Sequence, residues 1–262
     1  MPATGLPDLL DGALRRDPAR PLLTFYDDAT DERAELSTTT FGTWVAKTAN
    51  LLRDDLAVEA GATVALDLPC HWQAAVWLQS AWALGLHVVP AGVAADVHVT
   101  TYEPAGPPPA GVGEVVALGL GPLALPRRDA QPPAGTTLDY DREVAGHGDR
   151  FTPSWPVDAD APALTTSDGS WSGAELVATA QSQQVPGRAL LLTEPLTTLT
   201  AVLGGLLVPL AADVTAVLCR HPDNLRLPSR VEQEEVVLDV TSDTSGAPRW
   251  VPVPVGAHRN VT

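Results

Sequence analysis

The stretch that decides the fold is Gly61–Pro90, GATVALDLPCHWQAAVWLQSAWALGLHVVP. It begins with a short apolar run that ends at Pro69, continues with a helix-length segment that is apolar on nearly all sides, and ends with the run HVVP. A short apolar run bounded by Gly and Pro is typical of a buried strand, and a helix that is apolar all round must be covered on both faces. The order predicts a βαβ unit with two parallel strands and a right-handed crossover.

The same alternation extends along the chain in both directions. Short apolar runs that predict mainly parallel strands lie near residues 64–68, 88–90, 96–99, 115–118, 189–193 and 214–218. Nearer the N-terminus, an amphipathic helix at Leu6–Arg16 precedes a hairpin formed by Leu22–Tyr26 and Ala34–Ser37. These patterns predict an α/β protein with three layers, α/β/α, around a mainly parallel sheet, with an N-terminal β-hairpin.

Proline content sets the expected domain boundary. We expect one domain over residues 1–236 and an irregular C-terminal tail over 237–262, because Pro248, Pro252 and Pro254 interrupt the apolar rhythm there.

Charge restricts the classes of partner. The chain has 32 acidic and 16 basic residues, a net charge of −16, which repels both nucleic acid and anionic membranes. We expect neither as a partner, and expect instead a protein partner, a homo-oligomer or a small ligand that the sequence does not identify. No apolar run approaches the roughly 18 residues of a membrane helix, the N-terminus lacks a signal-peptide pattern, and the two cysteines are expected to be reduced; together these predict the cytoplasm.

Residues 36–90 resemble the opening of the adenylate-forming superfamily, which includes acyl-CoA synthetases, luciferases and peptide-synthetase adenylation domains. The residues that carry this resemblance are Leu36, Ser37, Phe41, Trp44, Val45, Ala49, Asn50 and Leu52, then Gly61, Val64, Ala65, Leu66, Leu68 and Pro69, and then Leu84, Gly85, Val88, Val89 and Pro90. A second part matches the family's next elements in order, at Ala174–Ser182, Arg188–Leu196, Thr200–Leu210 and Asp213–Leu218. The resemblance covers roughly residues 20–220. More closely, the sequence is similar to short actinobacterial proteins that keep only the N-terminal portion of this fold.

The resemblance implies a phosphate-binding loop of the type T-S-G-T-T-G-x-P-K, and two segments compete for that role. The first lies at the position the family implies, between a strand and a helix, and consists of Thr165, Thr166, Ser167, Asp168, Gly169 and Ser170. It lacks the Pro-Lys pair, and the carboxylate of Asp168 would oppose a polyphosphate. The alternative is a polar turn in which Ser170 or Ser172 caps the next helix, and Ser172 has Glu175 three residues further on, as in a capping box.

The second segment is Thr241–Arg249, TSDTSGAPR. Its composition is closer to the motif, with Asp243 in place of the first glycine and Arg249 in place of the lysine. However, it follows the helix and strands that it should precede. It is therefore either a displaced loop or part of the tail.

Catalytic residues are not evident. The family's catalytic lysine lies in a C-terminal domain, and Lys47, the only lysine here, is predicted on the solvated face of a helix, so full adenylation chemistry is excluded for this chain alone. The histidines show no metal-ligand spacing, Trp171 stands where a G-x-S-x-G motif needs serine, and Cys70 is expected to be a core residue. We therefore expect no catalytic residue, cofactor or metal. The favoured function is non-catalytic binding, and the alternative is a fragment that retains ATP, AMP or acyl binding and completes its active site with another chain.

Overall fold

The computed structural model describes residues 3–126, 130–185, 188–242 and 248–252. The helices are α1 (Leu6–Arg16), α2 (Thr38–Asp54), α3 (Trp72–Ala83), α4 (Tyr140–Glu143), α5 (Gly173–Ser182), α6 (Leu199–Val202), α7 (Val208–Ala212) and α8 (Leu227–Gln233). A π-helical turn, Leu203–Leu207, joins α6 and α7 into one continuous helix.

The strands are β1 (Pro21–Asp27), β2 (Glu32–Ser37), β3 (Thr63–Leu66), β4 (His87–Val89), β5 (Val97–Thr101), β6 (Glu114–Leu118), β7 (Leu138–Asp139), β8 (Pro162–Thr166), β9 (Gly169–Ser172), β10 (Ala189–Leu192), β11 (Thr215–Arg220), β12 (Val236–Ser242) and β13 (Pro248–Pro252). The six apolar runs and the N-terminal hairpin therefore form strands at the predicted positions.

These strands form two sheets. The six-stranded sheet has the order β13-β12-β10-β11-β1-β2, and the seven-stranded sheet has the order β7-β6-β5-β3-β4-β8-β9. Pairing is parallel except in β1–β2, β12–β13 and β8–β9. The prediction of a mainly parallel α/β fold is confirmed. The division into two sheets was not predicted, because apolar periodicity identifies a strand without identifying the strands it pairs with.

Two segments of the chain contain the same order of elements. In each segment, a hairpin, a helix, a strand, a second helix and two more strands follow in chain order. Their strands occupy the orders β5-β3-β4-β8-β9 in one sheet and β12-β10-β11-β1-β2 in the other. The hairpin of each segment pairs with a strand of the other segment: β1 pairs with β11, and β8 pairs with β4. We call residues 21–101 the first repeat and residues 162–242 the second repeat. The repeats exchange hairpins, so each sheet contains strands from both.

Helix α3 lies between the two sheets. All of its residues are buried, because it contacts β1 of one sheet and β3 and β4 of the other. This agrees with the apolar pattern on all its faces. On the far side of the six-stranded sheet, α8 packs through Leu227 and Val231 against a smaller apolar cluster. No helix in the described ranges is long and apolar enough to cross a membrane.

The C-terminal segment is partly regular. Residues Val236–Ser242 and Pro248–Pro252 form paired strands, so the prediction of irregular backbone was wrong at these positions. Proline is tolerated in β13 because it is an edge strand, where one side of the backbone needs no ladder partner. The rest of the predicted tail, residues 243–247 and 253–262, lies outside the described residues, and the domain boundary near residue 236 stays a prediction.

Candidate functional site

The six residues of the first phosphate-loop candidate lie together in the hairpin between β8 and β9. Thr165 pairs with Ser170 and Thr166 with Gly169, so Ser167 and Asp168 alone make the turn. The hairpin is followed directly by α5, as the resemblance implies for a phosphate loop. The loop itself is a tight two-residue turn whose flanking backbone is engaged in strand pairing.

Asp168 is held by contacts within the chain. Its backbone N–H donates to Thr166 Oγ1 at 3.0 Å, and its carboxylate accepts from Ser167 Oγ at 3.1 Å. The other carboxylate oxygen accepts from the backbone N–H of Leu199, the first residue of α6, at 3.3 Å. A carboxylate is favoured at this position because the first N–H groups of a helix lack intrahelical partners. Asp168 thus supplies an anion from within the protein.

The hydroxyl groups of the hairpin are also engaged. Thr165 Oγ1 donates to Ser170 Oγ at 2.9 Å, and His87 Nε2 lies 2.8 Å from the same Thr165 oxygen. Burial lowers the pKa of His87 below its ordinary value. Sequence reasoning did not connect His87 with this hairpin. The period of two along β4 and β8 was the available signal. Val88 pairs with Leu164, so His87, which precedes Val88, and Thr165, which follows Leu164, both lie on the opposite face of the sheet.

The capping alternative is confirmed. Ser172 Oγ accepts from the backbone N–H of Glu175 at 3.2 Å, and the Glu175 carboxylate accepts from the backbone N–H of Ser172 at 2.8 Å. These are the two reciprocal bonds of a capping box. The hydrogen bonds that the Glu175 carboxylate accepts from the backbone N–H and the hydroxyl of Ser172 lower the pKa of Glu175. The segment after the hairpin therefore starts α5, as its sequence alone indicates.

The second phosphate-loop candidate lies at the edge of the other sheet. Thr241 in β12 pairs with Arg249 in β13, and the residues between them that lie in neither strand, including Asp243, are outside the described ranges. The described residues place the first candidate in β8 and β9 of one sheet and the two ends of the second candidate in β12 and β13 of the other. Phosphate binding by Thr241–Arg249 stays a prediction.

Lys47 is engaged rather than free in solvent. Its Nζ donates to the backbone carbonyls of Ala145 at 3.2 Å and His147 at 2.6 Å, and lies 2.9 Å from the Asp149 carboxylate. The prediction of a solvated side chain was wrong, because the loop after α4 folds back over α2. The lysine holds this loop against the helix.

Cys70 is a core residue, as predicted. Its thiol is buried and directed to the carbonyl of Leu192 at 3.6 Å, and burial raises its pKa to about 12. A thiol with this pKa is protonated at neutral pH and is a poor nucleophile. Among the described residues, no three His, Cys, Asp or Glu side chains lie close enough to hold a metal ion.

Comparison with known proteins supplies the family. No protein-family model matches the sequence. A protein of Mycobacterium tuberculosis (strain ATCC 25618 / H37Rv), described as a TIGR03089 family protein, is 35% identical over 246 residues, which cover 87% of this chain and 94% of that protein. This chain belongs to the TIGR03089 family.

Two solved structures share the fold of this TIGR03089 family member. The N-terminal domain of FACL13 from Mycobacterium tuberculosis matches with a TM-score of 0.67 and 17% identity, over 90% of this chain and 62% of that one. The Brucella canis acyl-CoA synthetase matches with a TM-score of 0.70 and 16% identity, over 90% of this chain and 47% of that one. The fold is therefore that of acyl-CoA synthetase N-terminal regions, and the chain spans less than two thirds of either structure.

Proposed function

We propose that this protein is a non-catalytic relative of the acyl-CoA synthetases that acts by binding a partner protein or a small ligand. The observation that carries the proposal is the hairpin at Thr165–Ser170. At the position where the resemblance implies a phosphate loop, the turn is two residues long and its Asp168 carboxylate occupies the N-terminus of α6. An incoming phosphate would meet a like charge there, which at about 4 Å opposes it by about 1 kcal/mol per charge in water.

The remaining groups support the same proposal. Lys47 is the only lysine of the sequence, and it is used to hold the loop at Ala145–Asp149. The hydroxyls of Thr165 and Ser170 are bonded to each other, and the Thr166 hydroxyl accepts from the backbone of Asp168. A hydroxyl that is already engaged must break its bond before it can contact a ligand.

A second candidate function is a fragment that retains ATP, AMP or acyl binding and completes its active site with another chain. The observation in its favour is the extent of the match: the chain aligns with 47% of an acyl-CoA synthetase at a TM-score of 0.70. The net charge of −16 leads us to propose further that the partner is neither nucleic acid nor an anionic membrane, and that the protein acts in the cytoplasm.

Calorimetric titration with ATP, AMP and a non-hydrolysable acyl-AMP analogue tests the proposal. We expect no binding heat from the native protein with any of the three. ATP affinity on the order of micromolar, together with pyrophosphate release on adding carboxylic acids, would overturn the proposal and favour the second candidate.

The variant Asp168→Gly tests whether the hairpin descends from a phosphate loop. Glycine removes the opposing carboxylate and restores conformational freedom to the turn. We expect weak ATP binding by Asp168→Gly if the hairpin descends from a phosphate loop. The matched control is Glu175→Gln, which changes an acidic residue of the neighbouring capping box and should leave ATP binding absent.

A further inference from the structure

A groove with a volume of about 650 Å³ lies beside the first turns of α1. One wall is formed by residues between positions 4 and 11, and the other by the loop over residues 153–159. None of the lining residues belongs to the β8–β9 hairpin. The groove is open to solvent, because residues of both walls are exposed, and its volume is within the ~300–1,000 Å³ that is typical of ligand sites. The protein therefore has a place, apart from the hairpin, where another molecule can bind.

Trp155 forms the aromatic part of the loop wall. Its indole Nε1–H donates to the backbone carbonyl of Leu84 at 2.9 Å, and its side chain packs against the main apolar core. The residue is only partly buried and lines the groove. Because the single donor of an indole is already engaged, the ring offers the groove an aromatic surface and no further hydrogen-bond donor. An aromatic surface of this kind attracts cations.

The loop wall also leaves its backbone unpaired. Within the described ranges, residues 153–157 take part in no backbone–backbone hydrogen bond and belong to neither sheet. Pro153 and Pro156 fix the angle φ at two of these positions, which reduces the conformational freedom that the segment loses on binding. The remaining N–H and C=O groups can pair with an extended chain, as backbone groups commonly do in peptide recognition. The wall therefore suits a peptide better than a compact small molecule.

Both charged residues that line the groove are acidic. The carboxylate of Asp8 accepts from the backbone N–H groups of Thr4 at 2.9 Å and Gly5 at 3.0 Å, and it offsets the partial positive charge at the start of α1. Asp11 lies three residues further on and is exposed, and its carboxylate has no hydrogen bond or ion pair with any residue that the structure describes. Arg15, whose charge acts on Asp8, does not line the groove. The charge of Asp11 is therefore available to a cation.

Arginine is the cation that fits these features. A guanidinium group stacks on aromatic rings and pairs with carboxylates through several N–H groups, whereas the ammonium group of lysine is compact and strongly hydrated. An anionic partner is disfavoured by the carboxylates of the groove and by the net charge of −16 of the chain. A second copy of this chain is disfavoured for the same reason, because each copy carries that charge.

We propose that the groove binds an extended segment of a partner protein that carries an arginine side chain. Asp11 supplies the charge that attracts the guanidinium group, Trp155 supplies the aromatic surface, and the backbone of residues 153–157 pairs with the segment. The proposal rests on the proposed function, because it names the chemistry of the partner that the protein binds. The two fail separately: absence of peptide binding overturns the groove alone, whereas ATP binding with pyrophosphate release overturns the non-catalytic function alone.

An NMR titration of the full chain tests the groove through the Trp155 Nε1–H signal. The probe is the peptide acetyl-Gly-Arg-Gly-amide, and the matched controls replace its arginine with citrulline, a neutral isostere, or with lysine. We expect a saturable shift with the arginine peptide, an affinity about threefold or more above that of either control, and a decrease in that affinity as salt is added. No shift, or equal affinity for the arginine peptide and a control, would overturn the proposal. A shift that depends on protein concentration without peptide would also overturn it and assign the groove to a second copy of the chain.

Variants test the role of Asp11. Asp11→Asn removes an exposed charge and should weaken binding of the arginine peptide about threefold, the effect of one exposed ion pair, without changing binding of the citrulline peptide. Glu232→Gln is the matched control, because it removes the same charge from an exposed position on α8, on the far side of the six-stranded sheet, and should bind the arginine peptide as the native protein does. Equal weakening in both variants, which would assign the attraction to net charge, or unchanged affinity in Asp11→Asn, would overturn the proposal. Thermal unfolding establishes that each variant is folded, and the comparison of the three peptides on the native protein remains decisive if either is not.

Discussion

Helices α3 and α5 are capped by side chains of different chemistry, with different consequences. Ser172 caps α5 with an exposed hydroxyl that does not titrate, whereas His71 caps α3 with a buried imidazole. Because His71 can cap only through an unprotonated Nδ1, its capping bond requires the neutral ring. The N-cap bond of α3 should therefore depend on the protonation of the N-cap side chain itself, whereas at α5 the group that titrates is the Glu175 carboxylate of the capping box.

We predict that stability falls as pH is lowered from about 6.5 toward 3, and that part of the loss is due to His71. Its pKa is lowered from 6.5 to about 3 on folding, so between these values the unfolded chain binds a proton that the folded chain excludes. Stability is then fully present above pH 6.5 and declines by about 1.4 kcal/mol per pH unit below it. Urea unfolding at several pH values should give a shallower decline for His71→Asn, which can cap without titrating. Equal declines in both proteins would contradict the assignment.

Lys47 is a second residue whose role depends on its neighbours. Replacing it with Met removes two bonds to carbonyls and one ion pair, and should destabilise the protein by about 1–3 kcal/mol. Asp149→Asn removes only the ion pair to a largely exposed carboxylate and should cost less than about 1 kcal/mol. Chemical denaturation of both variants measures the difference. An unchanged free energy of unfolding in Lys47→Met would mean that the loop is held by other contacts.

At the scale of elements, the helix formed by α6, the π turn and α7 packs unusually close to the six-stranded sheet. A methyl group added at Gly204 would lie 2.6 Å from both Cγ atoms of Val240 in β12, and one at Gly205 would lie 2.9 Å from Leu192 Cδ2 in β10. Two consecutive glycines therefore permit this approach. Val240 is itself buried, which makes β12 part of the packed core rather than a peripheral segment.

We predict that Gly204→Ala destabilises the protein by about 1–3 kcal/mol through this overlap with Val240, the usual cost of overpacking. The double variant Gly204→Ala, Val240→Ala should recover part of the loss, because it removes the methyl groups that are in conflict. Urea unfolding of the two single variants and the double variant measures the coupling. Strictly additive effects would show that Gly204 and Val240 are not in contact.

At the scale of the whole molecule, the exchange of hairpins joins the two repeats. Strand β1 pairs along its length with β11, while β8 pairs with β4, so each sheet is completed by a hairpin from the other repeat. Between them, α3 contacts strands of both sheets. Removing either repeat would expose apolar faces and unpaired strand edges in the other.

We predict that residues 1–157 and 158–262 do not fold when produced separately and that they form a folded complex when produced together. The cut leaves the loop over residues 148–155 with the first repeat, to which Asn50 and Leu84 bind it. Circular dichroism and size-exclusion chromatography measure folding and association. Cooperative thermal unfolding of either fragment alone would contradict the prediction and show an independent domain.

The sequence by itself determined the elements. Apolar runs and helical periods located the N-terminal hairpin, the six strands and the apolar helix α3, because burial on one or both faces leaves a local pattern that does not depend on partners. Capping by Ser172 and Glu175 was also local, since both residues lie within one turn of α5. At the candidate site, the six consecutive residues Thr165–Ser170 form one hairpin, and phosphate binding by them stays a prediction.

Only the tertiary structure decided how these elements combine. Pairing between strands is non-local, so the two sheets, the exchanged hairpins and the pairing of β12 with β10 are not encoded in any short pattern. The partner of Asp168 is Leu199, 31 residues further on. Likewise, the ring of His71 contacts Phe25 only because the start of α3 packs against β1, 46 residues earlier in the chain. Whether a polar side chain is free, capped or left unpaired depends on which backbone is folded against it, and that is a property of the assembled molecule.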